Sequence, residues 1–166
     1  FQEKHKTISD YSRHGRYQDQ VKAQGFMPYM KPFYDLLEKY RGKMIYLDFW
    51  APWCPPCLAE MEPLKELRKK YKTEDIVFIT ICRGDNRKRL KEVLEKYEMH
   101  VDGIEHILTD DLQDDNNVHK MYNQLNVNRF PHYFIINREG VIVNYGSMMR
   151  PSYPGTAACI EQWLGK

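Results

Sequence analysis

Two cysteines two residues apart, Cys54 and Cys57, are the side chains of this chain best suited to chemistry. They follow an apolar run, residues 44–50, which predicts a buried strand, and a turn that contains Pro52. A helical pattern begins at the second cysteine. A Cys-x-x-Cys pair at the junction of a strand and a helix is typical of a dithiol that cycles between oxidised and reduced forms.

The spacing also assigns a role to each sulfur. Cys54 lies where a helix begins, and the unpaired N–H groups there favour a thiolate, so we predict that it is the nucleophile. Cys57, one turn further on, is predicted to resolve the mixed disulfide. A pair of zinc ligands is the alternative, but such a site usually needs a second Cys or His pair, and none is suitably spaced.

Composition narrows the class of protein. The chain has 166 residues, of which 42% are hydrophobic and 13% aromatic, enough for one domain with a real core. A net charge of +2 gives no sign of nucleic-acid binding. No apolar run approaches the roughly 20 residues needed to cross a membrane. Because the first residue is Phe1, we expect a mature or trimmed product, and the missing signal peptide does not argue for the cytoplasm.

The order of predicted elements indicates an α/β fold. Residues 1–27 are polar and predict an N-terminal extension or linker, and residues 28–166 predict the domain. Within the domain, apolar periodicity predicts β-α-β-α-β-α-β-β-α after a first helix at residues 30–40. Pro63 predicts a bend in the helix at residues 57–71, and Asp85 a helix start. The early βαβ units and the late hairpin predict a central mixed sheet flanked by helices.

Two segments resemble a known superfamily. Residues 48–57, which read Asp-Phe-Trp-Ala-Pro-Trp-Cys-Pro-Pro-Cys, resemble the active-site segment of thioredoxin-fold oxidoreductases. Phe130-Pro131, the apolar strand after it and residues 137–142 resemble the cis-proline segment and hairpin of the same superfamily. An extra βα element and Glu60-Met61 resemble the TlpA/ResA-like branch, the bacterial envelope thioredoxins. The chain departs from that branch at Pro63, which is shifted by one residue, at His132, which replaces a small hydroxyl residue, and in the helix that precedes the first strand.

The resemblance implies roles for two carboxyl groups. Asp48 lies in an apolar strand, so burial should raise its pKa. By resemblance it would manage the proton of Cys57; a strand-end Asp that reaches solvent or a backbone group is the alternative. Glu60 would line the site and tune the pKa of the thiols, or it is simply a solvated carboxylate near a helix start.

Other residues are predicted to contact the substrate. By the same resemblance, Pro131 should be cis, which would place the backbone of Phe130 beside Cys54, ready to pair with an extended partner peptide. Trp53 should form an exposed apolar platform, and Pro55 should limit the backbone between the cysteines. His132 either biases the site electrostatically with pH or packs in the fold.

The resemblance therefore predicts a thiol-disulfide oxidoreductase that acts on protein disulfides, with no cofactor beyond the Cys54–Cys57 disulfide and no metal. It implies a periplasmic or otherwise extracytoplasmic location and a membrane electron donor. One alternative is a tryparedoxin- or nucleoredoxin-like donor to peroxidases. Another is a non-catalytic module that binds a partner or copper. Cys82 and Cys159 are predicted to be inert core thiols, with a second disulfide between them as the alternative.

Overall fold

A five-stranded sheet forms the centre of the computed structural model, which describes residues 27–84 and 86–165. The order of the strands is β3-β2-β1-β4-β5. Strands β1, β2 and β3 are parallel, whereas β4 is antiparallel to β1 and β5 is antiparallel to β4. The predicted mixed sheet is confirmed. The strands are β1 (Met44–Trp50), β2 (Ile76–Cys82), β3 (Ile104–Leu108), β4 (His132–Ile136) and β5 (Ile142–Gly146).

Six α-helices cover the two faces of the sheet in the described part of the chain. Short 3₁₀ turns precede the first helix and follow β3 and β5. No helix among the described residues has the length and apolar character needed to cross a membrane. The proposed extension, residues 1–27, lies outside the described residues except for Met27, so its boundary stays a prediction. The helices are α1 (Lys31–Lys39), α2 (Pro55–Ala59), α3 (Met61–Lys69), α4 (Arg87–Lys96), α5 (Asp115–Leu125) and α6 (Pro154–Leu164).

Strand β1 separates two apolar layers, because successive side chains point to opposite faces of a sheet. Ile45, Leu47 and Phe49 pack with α1 and α5. Tyr46 and Trp50 pack with α3, α4 and α6, in the layer that also contains both active-site cysteines. We call this second layer the cysteine layer. Burial on both faces explains why β1 and β2 read as continuous apolar runs.

The predicted bend is present as a break between α2 and α3. Glu60 lies between the two helices, with φ −92° and ψ 1°. Pro63 lacks the N–H that would bond to the carbonyl of Ala59, and its ring would clash with that carbonyl. The break therefore falls three residues before the proline and places Glu60 close behind the cysteines.

The start of α4 differs from the prediction. The cap is Asn86, whose side chain accepts the N–H of Arg89 at 2.9 Å, rather than Asp85, which lies outside the described residues. The helix also ends earlier than expected, because Glu98 adopts a left-handed φ of 52°. Both differences are local and leave the sheet unchanged.

Candidate active site

The two sulfurs are held where β1 passes into α2. Cys54 is the N-cap of α2, and Cys57 lies in its first turn. The two residues form a disulfide, with their Cα atoms 5.3 Å apart. Pro55 and Pro56 occupy the first two helical positions and have no N–H, so the first available donor of the helix is the N–H of Cys57. That N–H donates to Sγ of Cys54 at 3.3 Å.

This single donor is the local feature that favours a thiolate at Cys54 after reduction. Hydrogen bonding to the charged form of a group stabilises that form. Helix α2 has only five residues, so its dipole is small, and the N–H of Cys57 is the helix donor that the structure places on Cys54. In the oxidised form Cys54 and Cys57 are 4% and 3% exposed, so exposure does not separate their roles.

Asp48 lies buried in β1, and its side chain points into the cysteine layer. Burial, with a smaller contribution from the negative charge of Glu60, raises the pKa of its carboxyl to about 8. The predicted rise in pKa is confirmed. Oδ1 of Asp48 is buried and has no hydrogen-bond partner among the described residues, which does not favour the alternative of a strand-end carboxylate that reaches solvent or backbone. Its role in proton transfer stays a prediction.

Glu60 is fixed by a residue that the sequence did not reveal. Its carboxylate accepts the backbone N–H of Ser152 at 2.8 Å and the Ser152 hydroxyl at 2.7 Å. The two residues are 92 positions apart, and no motif joins them. Glu60 is therefore held in one place, where its charge acts on Asp48, instead of extending freely into solvent. Any effect on the thiols stays a prediction.

Aromatic side chains border the disulfide. Trp53 is 71% exposed, and its ring meets that of Phe130 edge-on, with centroids 5.8 Å apart. The Phe130–Pro131 peptide bond is cis, as the resemblance implies. We call Trp53 and Phe130 the aromatic platform. Tyr122 of α5 supports it, with its centroid 6.1 Å from that of Phe130, a contact that the sequence did not predict.

A cavity of about 210 Å³ lies beside the aromatic platform. Pro52 and Trp53 line one side, and the segment after β2, including Arg83 and Asn86, lines the other. Another cavity, of about 320 Å³, lies at the opposite end of β1, around Gly42 and Arg138, away from the sulfurs. Of these two cavities, the smaller is the one lined by Trp53, the residue that precedes Cys54.

His132 and Trp50 belong to the packing of the fold. His132 is 9% exposed, and its ring lies 4.8 Å from that of Phe134. Burial lowers the pKa of His132 to about 4, so the imidazole is neutral at ordinary pH. The packing interpretation of His132 is favoured over an electrostatic role near neutrality. Trp50 is fully buried.

The remaining cysteines are free. The alternative of a disulfide between Cys82 and Cys159 is therefore wrong. Burial raises the pKa of Cys82 to about 12, which keeps that thiol protonated and unreactive. Within residues 27–84 and 86–165, no cluster of three or more His, Cys, Asp or Glu side chains could hold a metal ion.

The sheet topology, the capped disulfide and the cis proline beside it define a thioredoxin-fold protein with a redox-active dithiol. The chain belongs to the Redoxin family, whose profile matches residues 33–155.

Individual relatives agree with the TlpA/ResA-like resemblance. The thiol-disulfide oxidoreductase ResA of Geobacillus kaustophilus is 29% identical over 106 residues, which cover 64% of this chain and 55% of that protein. The chain thus spans about half the length of the curated relatives it matches. A solution structure from Bacteroides vulgatus, described as a candidate thiol-disulfide oxidoreductase, is 33% identical, with a TM-score of 0.60 and 78% of each chain covered.

A second solved structure supports the fold. The thioredoxin domain of another Bacteroides vulgatus thiol-disulfide oxidoreductase has a TM-score of 0.62 at 19% identity, covering 75% of this chain and 84% of that one.

Proposed function

We propose that this protein is a thiol-disulfide oxidoreductase that exchanges electrons with protein disulfides through Cys54 and Cys57. One observation carries the proposal: the Cys54–Cys57 disulfide begins a helix, with an N–H that donates to Sγ of Cys54, next to the exposed ring of Trp53. The names of the ResA relatives support the same activity.

The reaction begins with the reduced protein. The Cys54 thiolate attacks one sulfur of a partner disulfide, forming a mixed disulfide and releasing the other partner sulfur as a thiolate. The Cys57 thiol then gives its proton to the Asp48 carboxylate and attacks Sγ of Cys54. The second partner sulfur leaves, and the Cys54–Cys57 disulfide forms. Two electrons pass from this protein to its partner, and the reverse sequence oxidises a partner dithiol.

Asp48 is suited to accept the proton of Cys57. Its pKa of about 8 is close to that of an ordinary thiol, roughly 8.5, so the transfer between them is nearly balanced in free energy. An exposed aspartate, with a pKa near 4, would be a much weaker base. The aromatic platform would meanwhile contact apolar side chains next to the partner's cysteine.

We further propose that the protein acts outside the cytoplasm as a reductant, with electrons supplied by a membrane donor. The support is the resemblance to the TlpA/ResA-like branch. The two electrons are carried by the reduced Cys54 and Cys57 thiols themselves, so the proposed reaction requires no bound cofactor.

Trapping experiments test the proposed roles of the sulfurs. Cys57→Ser should accumulate mixed disulfides with insulin or a protein lysate, and Cys54→Ser should abolish both trapping and insulin reduction. Cys159→Ser is the matched control, since its half-buried thiol is free and lies in α6. Full turnover by Cys57→Ser would refute the resolving role. Tight stoichiometric copper binding without any reductase activity would instead favour a binding module.

A further inference from the structure

Three buried polar atoms in the cysteine layer have no hydrogen-bond partner among the described residues. They are Oδ1 of Asp48, Nε1 of Trp50 and the hydroxyl of Tyr133. Buried polar groups are almost always paired with protein or with ordered water, so three orphans in one layer require an explanation.

The sheet register places these three residues on the same face. Asp48 on β1 pairs directly with Tyr133 on antiparallel β4, and directly paired residues of two such strands point to the same side. Trp50 lies two positions after Asp48 on the same strand, so it shares that face. Trp50 and Tyr133 both belong to the apolar cluster that contains Cys54 and Cys57.

The chemistry of the three atoms is complementary to one water molecule. The Trp50 indole N–H and the Tyr133 hydroxyl are donors, and an ionised Asp48 is an acceptor. A buried water typically makes about three hydrogen bonds to otherwise unsatisfied polar groups. It could accept from Trp50 and Tyr133 and donate to Asp48.

We propose that Tyr133 is a positioning residue of the exchange reaction, whose hydroxyl, together with the indole of Trp50, holds one internal water that donates to Oδ1 of Asp48. The water stabilises the Asp48 carboxylate and so sets the pH at which Asp48 takes the proton of Cys57. The kinetic consequence rests on the proposed function, whereas the hydration of Asp48 does not.

Two other polar residues close to Asp48, Tyr46 and Glu60, already have hydrogen-bond partners elsewhere. The Tyr46 hydroxyl already donates to the carbonyl of Met149 at 2.5 Å, and Glu60 is held by Ser152. Neither is an unpaired donor to Asp48. The titratable and charged groups that act on Asp48 or Tyr133 from the surrounding elements are Tyr46, Cys82, Glu60 and Arg150, with the Cys54–Cys57 pair in the same layer.

Tyr133→Phe tests the proposal, because it removes the hydroxyl and keeps the ring. Loss of a donor to the charged form should raise the pKa of Asp48 by about one unit. The carboxyl ¹³C resonance of Asp48 in the oxidised protein, assigned with Asp48→Asn, reports this pKa without any substrate. The pH at half-maximal insulin reduction should move upward with it.

Tyr46→Phe is the matched control. It removes a hydroxyl from the same layer, but one that is bonded to Met149, so it should lower stability and leave the Asp48 resonance titrating as in the wild type. An unchanged Asp48 pKa in Tyr133→Phe would overturn the proposal, as would an equal rise in both variants. If the wild type shows no exchange activity, the proposed function fails, while the NMR titration still decides the role of Tyr133.

A direct measurement covers the case in which Tyr133→Phe does not fold. A high-resolution crystal structure of the wild-type protein should show a water within hydrogen-bond distance of the Tyr133 hydroxyl and Oδ1 of Asp48. A dry site there would refute the proposal.

Discussion

Replacing Asp48 by Asn should change how the stability of the protein depends on pH. Asp48 is 4% exposed, and burial raises its pKa from 3.8 to about 8. The folded protein therefore keeps the Asp48 proton over a pH range in which the unfolded chain has lost it. The stabilisation that the Asp48 proton contributes is fully present below about pH 4 and is lost as the pH rises towards 8.

The magnitude follows from the linkage relation. Each pH unit inside this window costs about 1.4 kcal/mol of unfolding free energy, because the unfolded state binds about one proton fewer than the folded state. Between pH 5 and 7 the wild type should lose about 2.7 kcal/mol through Asp48 alone. The amide introduced by Asp48→Asn cannot ionise, so the variant should lack this slope.

Urea unfolding of the oxidised protein at pH 4 to 9 measures the difference. Keeping Cys54 and Cys57 in their disulfide removes the two thiols from the titration. The measurement at pH 4 is an internal control, because Asp48 is then largely neutral in the folded protein and the comparison reports mainly the exchange of a carboxyl for an amide. The advantage of Asp48→Asn should grow from pH 4 to 8 and then level off. Parallel curves for the two proteins would refute the reasoning, since they would mean that Asp48 folds with an unshifted pKa.

Three further variants test other parts of the site. Trp53→Ala should change the unfolding free energy by less than about 0.5 kcal/mol, because the ring is exposed. The same variant should slow insulin reduction about tenfold, which corresponds to a loss of ~1.4 kcal/mol of interaction with the protein substrate. Its rate with oxidised glutathione should stay within about twofold of the wild type. Equal losses of rate for both substrates would argue against a docking role. Ser152→Ala should lower the unfolding free energy measured with urea by about 1 kcal/mol, because it removes the hydroxyl that donates to Glu60, whereas Ser147→Ala, at an exposed serine, should not. Equal unfolding free energies for the two variants would mean that the Ser152–Glu60 bond does not stabilise the fold. The wild type should lose about 3 kcal/mol of unfolding free energy through His132 as the pH falls from 6.5 to 4, and His132→Gln should abolish this loss in the same unfolding assay. An equal loss of stability in the variant over this pH range would contradict the lowered pKa of His132.

The elements closest to the sulfurs could be predicted because their signals are local. Continuous apolar runs identify β1 and β2 as strands buried on both faces. The helix break after Cys57 follows from the backbone chemistry of Pro63 alone. The position of Cys54 at a helix start follows from the two prolines after it. These features depend on neighbours within a few residues, so the sequence shows them directly.

The contacts that tune the site could not be predicted, because they depend on long-range register. Ser152 meets Glu60 only after the turn that follows β5 folds back over α2. Tyr133 faces Asp48 only in the observed pairing of β4 with β1, and a shift of one residue would turn it to the opposite layer. The burial of His132, which decides between its two interpretations, depends on the same pairing.

That pairing gives the two layers titratable groups with opposing effects. Asp48 lies in the cysteine layer, and His132, paired with Phe49, lies in the other. The stability contributed through Asp48 falls with rising pH between about 4 and 8, whereas that contributed through His132 rises between about 4 and 6.5. The two slopes cancel below pH 6.5, and above it only that of Asp48 remains, about 2 kcal/mol by pH 8. The combined stability contributed through Asp48 and His132 therefore changes little with pH between about 4 and 6.5, and it falls as the solution becomes alkaline.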